Sequence, residues 1–222
     1  MKLYTGPLSM FGAKAEIALH EKGIDFEPVM VPFEMKTLYQ PRHPEVARIN
    51  PKRQVPVLVD GDLEIFDSTQ IFEYLEELQP TPPLGPADAR ARARARRLEH
   101  ESDEVYFPNV VRLMGLQLTP DDPAAVTARA AAAQFYERME RTLGDREWLA
   151  EGYSFADIAF YMAQLFGERM GAPITPAEPR LQEWRDRMSG RPAVRKVAGA
   201  MGRYLVSQGR KLPPFMARLS AG

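Results

Sequence analysis

The side chains able to do chemistry are few. Sulfur is confined to methionine, because the 222 residues hold 11 Met and no Cys. That removes disulfides, thiolate metal sites and any sulfur nucleophile supplied by the protein. The three histidines, His20, His43 and His100, stand far apart and show neither metal-ligand nor triad spacing, so no metal is expected. What remains are hydroxyls and carboxylates at helix starts. Ser9 follows the strand-like Lys2–Thr5 run and the Gly6-Pro7 stop, and it opens a helical pattern. As an N-cap it is worth about 1 kcal/mol. Asp67-Ser68 opens another helix, with Gln70 placed for a variant of the capping box. A helix N-terminus receives carboxylates on its own account, through its unpaired N–H groups and the positive end of its dipole. Ser154 and Asp157, after Gly152, form a further box of structural character. Val55-Pro56 heads an apolar run; Pro cannot donate to a ladder, so it belongs at a strand start or an edge.

Two halves of different texture must position these groups. Up to about residue 78, short strand-type runs alternate with helical patterns, which makes an α/β unit. The pattern predicts strands over 2–5 and 26–31, a helix over 9–22 stopped by Gly23, and a hairpin of 57–59 and 63–66 joined by Asp60-Gly61. A helix over 67–78 should bury Ile71, Tyr74, Leu75 and Leu78. QPTPPLGP at 79–86 has four prolines and reads as a linker. Beyond it, helices are expected over 88–116, 123–143, 154–170, 178–189 and 193–208. The expected domains are therefore 1–78, a linker 79–87, and an all-helical 88–222.

Composition closes several doors. At 45% hydrophobic and 27% charged, with a formal net charge of −1 and a pI near 6.4, the chain has no overall electrostatic footprint for nucleic acid. No apolar run approaches the ~18–20 residues of a membrane span, and the N-terminus lacks an export signal, so a cytoplasmic location is expected. Arg90, Arg94 and Arg97 share one helical stripe, with Arg92 and Arg96 opposite and Glu99, Glu101, Asp103 and Glu104 following. That arrangement reads either as a solvated helix with pairs such as Arg97–Glu101 or as a two-fold interface with reciprocal pairing.

Leu3-Tyr4 with Ser9, Ile49-Asn50-Pro51, Gln54-Val55-Pro56-Val57-Leu58, Asp67-Ser68, Gly152 with Ser154, Ala156 and Asp157, and Arg191-Pro192-Ala193-Val194 together resemble a cytosolic glutathione transferase. The similarity covers nearly the whole chain and is closest in kind to bacterial serine-type, theta-like members. It implies a thioredoxin-like N-terminal domain (βαβ–ββα) followed by an all-helical domain, with glutathione as cosubstrate. It further implies that the Ser9 hydroxyl donates to the glutathione thiolate, and that a cis Val55–Pro56 bond leaves the Val55 backbone to pair with the cysteinyl unit. Ser68 would receive the γ-glutamyl carboxylate beside Asp67, and Gln54 would hold the glutathione backbone. Lys52, Arg53 and His43 are candidates for the glycyl carboxylate. A second pocket for an apolar electrophile would draw on Met10, Phe11 and Tyr106, with the tail around Phe215 and Met216 either closing over it or frayed. Tyr4 is expected in the core. The resemblance implies a homodimer that meets neither nucleic acid nor membrane. The alternative is a glutathione-transferase-like protein that carries apolar ligands or partner proteins without turnover. With no cysteine at position 9, redox cycling through a protein thiol is impossible, and the cysteine-bearing motif of maleylacetoacetate isomerases is missing as well.

Overall fold

The computed structural model describes residues 1–220. Strands β1 (Lys2–Thr5), β2 (Glu27–Met30), β3 (Val57–Asp60) and β4 (Leu63–Phe66) form one sheet in the order β2-β1-β3-β4. β2 is parallel to β1, whereas β3 and β4 run antiparallel to their neighbours. A parallel pair needs a crossover, and α1 (Met10–Lys22) supplies it. Gly23 ends α1 at φ +66°, returning its N–H to the His20 and Leu19 carbonyls in a conformation that glycine reaches without penalty. Leu3, Ile17, Leu19 and Leu58 are fully buried. Tyr4 is a core residue, packed with Val31, Val46 and Val57.

Three local differences from the sequence pattern have plain causes. β3 and β4 register as Asp60↔Leu63, so the hairpin turn is Gly61-Asp62, one residue past the Asp-Gly pair. Gly61, at φ +61°, takes the left-handed place such a turn requires. A short helix, α2 (Pro44–Ile49), occupies a loop with no clean helical pattern. The next helix, α3 (Ser68–Leu78), buries Ile71, Phe72 and Leu75. Leu78 is half exposed, and the Tyr74 hydroxyl is turned to Asp60 at 2.6 Å.

The residues after the proline-rich segment form helices, but the expected 88–116 helix is broken. It comprises α4 (Ala89–His100), a π-helical turn Glu101–Tyr106, α5 (Phe107–Arg112) and a 3-10 turn Leu113–Leu116. Pro108 has no N–H, and its ring collides with the carbonyl four residues back in a regular helix. The widened turn accommodates it: the Phe107 N–H reaches the Ser102 carbonyl. Tyr106, Val110 and Leu113 stand at i, i+4 and i+7 on one buried face, and the extra residue in the preceding turn brings that face into line with buried Leu98 and Ser102. Then follow α6 (Pro123–Leu143), α7 (Phe155–Arg169) and α8 (Pro179–Gly190). α7 is buried on every face from Phe155 to Gly167, which marks a central helix. Asp157 closes the capping box. Its carboxylate accepts from the Leu149 N–H at 3.0 Å, Trp184 Nε1 at 2.9 Å, and the Ser154 N–H and hydroxyl at 3.0 and 3.2 Å.

The chain divides into Met1–Pro83 with Pro192–Gly222, and Leu84–Arg191. The last helices therefore belong with the sheet and not with the helical bundle as expected. The reason is packing. α9 (Pro192–Ser207) lies on α1, and its Tyr204 hydroxyl donates to the Phe33 carbonyl at 3.2 Å. α10 (Pro214–Ser220) lies on α9 and buries Phe215, Met216 and Leu219. The tail expected either to close over the pocket or to fray is a helix seated on the sheet-bearing unit, and its final residues, Ala221 and Gly222, lie outside the described residues. Among the described residues no helix is long and apolar enough to cross a membrane.

Candidate functional site

The sheet register assembles the site. Tyr4 lies opposite Val57, and Val57 opposite Phe66, so the end of β1, the start of β3 and the end of β4 meet at one edge. Neighbouring strands are about 4.8 Å apart. Three segments therefore leave the sheet side by side: the turn carrying Ser9, the Gln54-Val55-Pro56 segment, and Asp67-Ser68. Two of them open helices whose N-termini lie at the same end of the sheet.

Ser9 is the N-cap of α1, and its Oγ accepts from the Gly12 N–H at 2.9 Å. An accepted bond occupies a lone pair and leaves the hydroxyl proton free to donate elsewhere. Gly12 is required here, since a Cβ would press on Thr5 Oγ1 and stand 3.1 Å from Ser9 Oγ. The Thr5 hydroxyl is buried without a hydrogen-bond partner among the described residues. Tyr39 packs against Gly6, and its hydroxyl accepts from the Leu8 N–H at 3.3 Å, which braces the turn before Ser9. The spacing of residues 33–43 carried no sign of this brace.

The middle segment hangs on Asn50. This buried amide donates to the Gln54 carbonyl at 2.6 Å and accepts from the Lys52 N–H at 2.9 Å, while the Arg53 N–H reaches the Asn50 carbonyl. Asn50 thereby shapes the loop that presents Gln54, a positioning role visible only once the chain folds. The Val55–Pro56 peptide is cis, as the resemblance implied. The β3 ladder begins at Val57, so the Val55 backbone stands outside it.

In the third segment Asp67 caps α3 by accepting from the Thr69 N–H at 3.0 Å, with its own backbone at φ +77° and ψ 131°. A non-glycine residue in that region costs of order 1–3 kcal/mol and is held there by its surroundings. Lys52 Nζ stands 4.0 Å from Asp67 Oδ2, which ties the second and third segments electrostatically. Ser68 is buried at the first helical position.

His43 is the N-cap of α2, with its ring 5.3 Å from that of Tyr4 and Nδ1 buried without a partner among the described residues. Met10 is 4% exposed and Phe11 half-buried. Tyr106 does not fit a pocket wall. It is 1% exposed in the aromatic core of the helical unit, 5.0 Å from Phe135 between ring centroids, with its hydroxyl bonded to that of Tyr136. Burial raises both phenol pKa values, so both hydroxyls stay protonated. The π-helical turn is what swings Tyr106 inward. Of the arginine stripe, Arg94 pairs with Glu151 at 2.7 Å and Arg97 with Glu101 at 3.8 Å. Among the described residues no cluster of three or more His, Asp or Glu is placed to hold a metal ion.

Comparison with known proteins identifies the family. The glutathione S-transferase N-terminal domain family matches residues 3–83 and the C-terminal domain family residues 94–192. Glutathione S-transferase 1 of Dianthus caryophyllus is 39% identical over 52% of this chain, and a stringent starvation protein A homolog of Coxiella burnetii 36% identical over 48%. Those two matches span about half of each relative's length, 49% and 48%. Glutathione S-transferase 3 of Zea mays is 30% identical over 90% of this chain and 94% of its own. Among solved structures, a glutathione S-transferase from Rhodospirillum rubrum superposes with a TM-score of 0.80 at 28% identity, covering 99% of both chains. One from Methylobacterium radiotolerans, in complex with glutathione sulfonate, has a TM-score of 0.73 at 27% identity over 88% of this chain and 93% of its own. A thioredoxin-like sheet domain joined to a helical domain, matched over both parts, makes this chain a member of the glutathione S-transferase family.

Proposed function

We propose that the protein is a glutathione transferase in which Ser9 stabilises the thiolate of bound glutathione for attack on an apolar electrophile. The observation that carries this reading is the shared sheet edge. It sets a serine hydroxyl with a free proton, an unpaired strand-like backbone and a second helix N-terminus side by side, about two strand spacings across. Glutathione is an extended tripeptide with a thiol on its middle residue and a carboxylate at each end; the serine hydroxyl suits the thiol, the unpaired backbone the cysteinyl unit that bears it, and the helix N-terminus the γ-glutamyl carboxylate. Its γ-glutamyl carboxylate goes to Ser68 at the N-terminus of α3, beside Asp67. Its cysteinyl backbone pairs with Val55, and Gln54 steadies it. Its glycyl carboxylate, at the far end from Asp67, is left to His43, since Lys52, 4.0 Å from Asp67, stands at the γ-glutamyl end.

The chemistry then needs little else. A free thiol, with a pKa near 8.5, is only a few per cent ionised at neutral pH. Donation from Ser9 and the α1 N-terminus favours the thiolate, each pKa unit being about 1.4 kcal/mol. The thiolate forms the new carbon–sulfur bond while the electrophile's leaving group departs with the bond electrons, or, in an addition, while the electron pair moves onto the electrophile. Proximity supplies the remainder of the acceleration. Met10 and Phe11, adjoining Ser9, are the proposed apolar neighbours of the second substrate. A homodimer in the cytoplasm completes the reading. The second reading, a binding protein without turnover, draws on the match to a stringent starvation protein A homolog. Conjugation of glutathione to a chlorodinitrobenzene, together with glutathione binding by calorimetry, separates them. Turnover supports the transferase, and binding without turnover supports the carrier.

A further inference from the structure

Charge is distributed unevenly along this nearly neutral chain. Between Arg187 and Gly222 there are eight basic side chains and no acidic one, although the whole chain stands at −1. Part of that excess converges on one cavity. It measures about 460 Å³ and is lined by Pro192, Arg195, Lys196, Arg203 and Leu219. Arg195, Lys196 and Arg203 are exposed, and none forms an ion pair with a carboxylate among the described residues. Helical phase sets the shape of the site. At about 100° per residue, Pro192 and Gly199 lie one above the other on α9, with Arg195 on one side of that line and Lys196 on the other. Arg203 stands one turn beyond Gly199 and folds back over it, its Nη1 3.4 Å from the place a Gly199 Cβ would take. The Leu219 carbonyl oxygen is 2.7 Å from the same place, so α10 closes the face at Gly199. What stays open runs from Pro192 to Gly199, about 10 Å of helix. This floor carries no long side chain, two cations flank it, and a guanidinium stands at its closed end.

We propose that this cavity binds a single phosphate group, free or carried as a monoester on a small molecule. Charge is the first argument. The end of α10 faces the cluster, and even a full helix dipole contributes only about half a negative charge there. From α1, Glu16 and His20 lie within the field of Lys196, and Glu16 is the carboxyl that opposes the cluster from that side. Against three formal positive charges, an ionised Glu16 and the end of α10 leave an excess of about 1.5. A phosphate monoester brings about 1.5 to 2 negative charges at neutral pH, whereas a carboxylate brings one. Reach is the second argument. Arg203, lying back over Gly199, carries its guanidinium to the turn that Arg195 and Lys196 flank. Residues three and four apart on a helix have Cβ atoms about 5–6 Å apart, a gap that these side chains span, so all three meet one tetrahedral group. A guanidinium takes two of its oxygens as a fork, and an ammonium takes another as a point charge. An extended chain has no way through, because α10 blocks the far end of the floor. The cavity also falls in the ~300–1,000 Å³ range of small-molecule pockets, which leaves room for the body of a monoester. None of these residues belongs to the sheet-edge site, so the phosphate site and the glutathione site stand or fall separately.

The test uses the full chain in a phosphate-free buffer and titrates in inorganic phosphate and phenyl phosphate by calorimetry. Acetate and a peptide alternating glutamate with leucine serve as comparisons. The expected result is saturable one-to-one binding of a phosphate probe that weakens at least about threefold between 50 and 300 mM salt, as exposed charges are screened. Tighter binding of phenyl phosphate identifies the ligand as a phosphorylated molecule, and equal or tighter binding of inorganic phosphate identifies it as the free ion. Lys196→Gln/Arg203→Gln should weaken binding at least about tenfold. Arg203→Lys, which keeps the charge but loses the fork, should weaken it less. Arg210→Gln/Lys211→Gln removes the same charge outside the cavity lining and should stay within about twofold of the unsubstituted protein. Urea-unfolding midpoints check the fold of each variant. An absence of saturable binding by both phosphate probes overturns the proposal. So does unchanged affinity in Lys196→Gln/Arg203→Gln, an equal loss in the two double variants, or acetate or the peptide bound as tightly as phosphate.

Discussion

Replacing Ser9 with alanine removes two interactions that can be measured apart. The first is the cap. Ser9 Oγ accepts from the Gly12 N–H at 2.9 Å, and losing such a cap costs about 1 kcal/mol of stability. That loss is read by urea unfolding without glutathione, and it involves no chemistry. The second is the proton donated to the thiolate. A hydrogen bond to a charged group contributes about 1.5–3 kcal/mol, which converts to about 1–2 pKa units on the bound thiol. Ser9→Ala should therefore move the kinetic pKa of kcat/KM up by that amount. Below the pKa the rate follows the thiolate fraction, so at about pH 6.5 conjugation of a chlorodinitrobenzene should fall about 10- to 100-fold. Well above the raised pKa the two enzymes should converge, because both then hold the thiolate. Ser9→Thr keeps a hydroxyl and should retain most of the pH profile. A kinetic pKa that stays fixed in Ser9→Ala, whatever happens to the absolute rate, refutes the thiolate role and leaves Ser9 a cap.

Three further outcomes follow from buried or capping groups. Lys22, whose side chain is fully buried, pairs with Glu76 at 2.6 Å and donates to the Gln79 and Pro82 carbonyls; Lys22→Met should cost about 3–5 kcal/mol in urea unfolding, and a loss below about 1 kcal/mol would contradict that latch. Asp157 is pushed up to about 6, by burial against the pull of its donors. Because this folded value lies above the unfolded one, its contribution is present in full below about pH 4 and is lost as pH rises through about 6. The slope of unfolding free energy against pH in that window should flatten in Asp157→Asn, and an unchanged slope counts against the assignment. Asp67→Ala should raise the glutathione dissociation constant roughly tenfold, about 1.4 kcal/mol, while Asp67→Asn, which keeps the cap on Thr69, isolates the contribution of the charge.

How much of this was legible in the sequence depends on how local each determinant is. Ser9, Asp67 and the Ser154–Asp157 box were readable because a cap is set by residues within one turn of each other. The strands were readable for the same reason, and the hairpin turn missed by one residue because Asp60 could serve as the last strand position as well as the first turn position. Pro108 was a local signal too, and the break it imposes on the 88–116 helix is what carries Tyr106 into the core. Long-range placement was not readable. Nothing in the spacing of α9 says that it packs on α1, since an amphipathic face states only that it needs a partner. Asn50 is the sharper case. Its role depends on reaching Gln54 across a tight loop in which Arg53 takes φ +53°, a conformation that ordinary residues adopt only when the surroundings require it. The candidate site has the same character. Ser9, Val55 and Ser68 are distant in sequence and look like three unrelated capping or edge residues until the register Tyr4↔Val57↔Phe66 brings them to one edge. Period-two alternation fixes which face a side chain takes, but only pairing fixes which ends meet. The chemistry proposed for this chain resides in that meeting of ends, so shifting the β1–β3 register would dismantle the site while leaving every capping motif in the sequence intact.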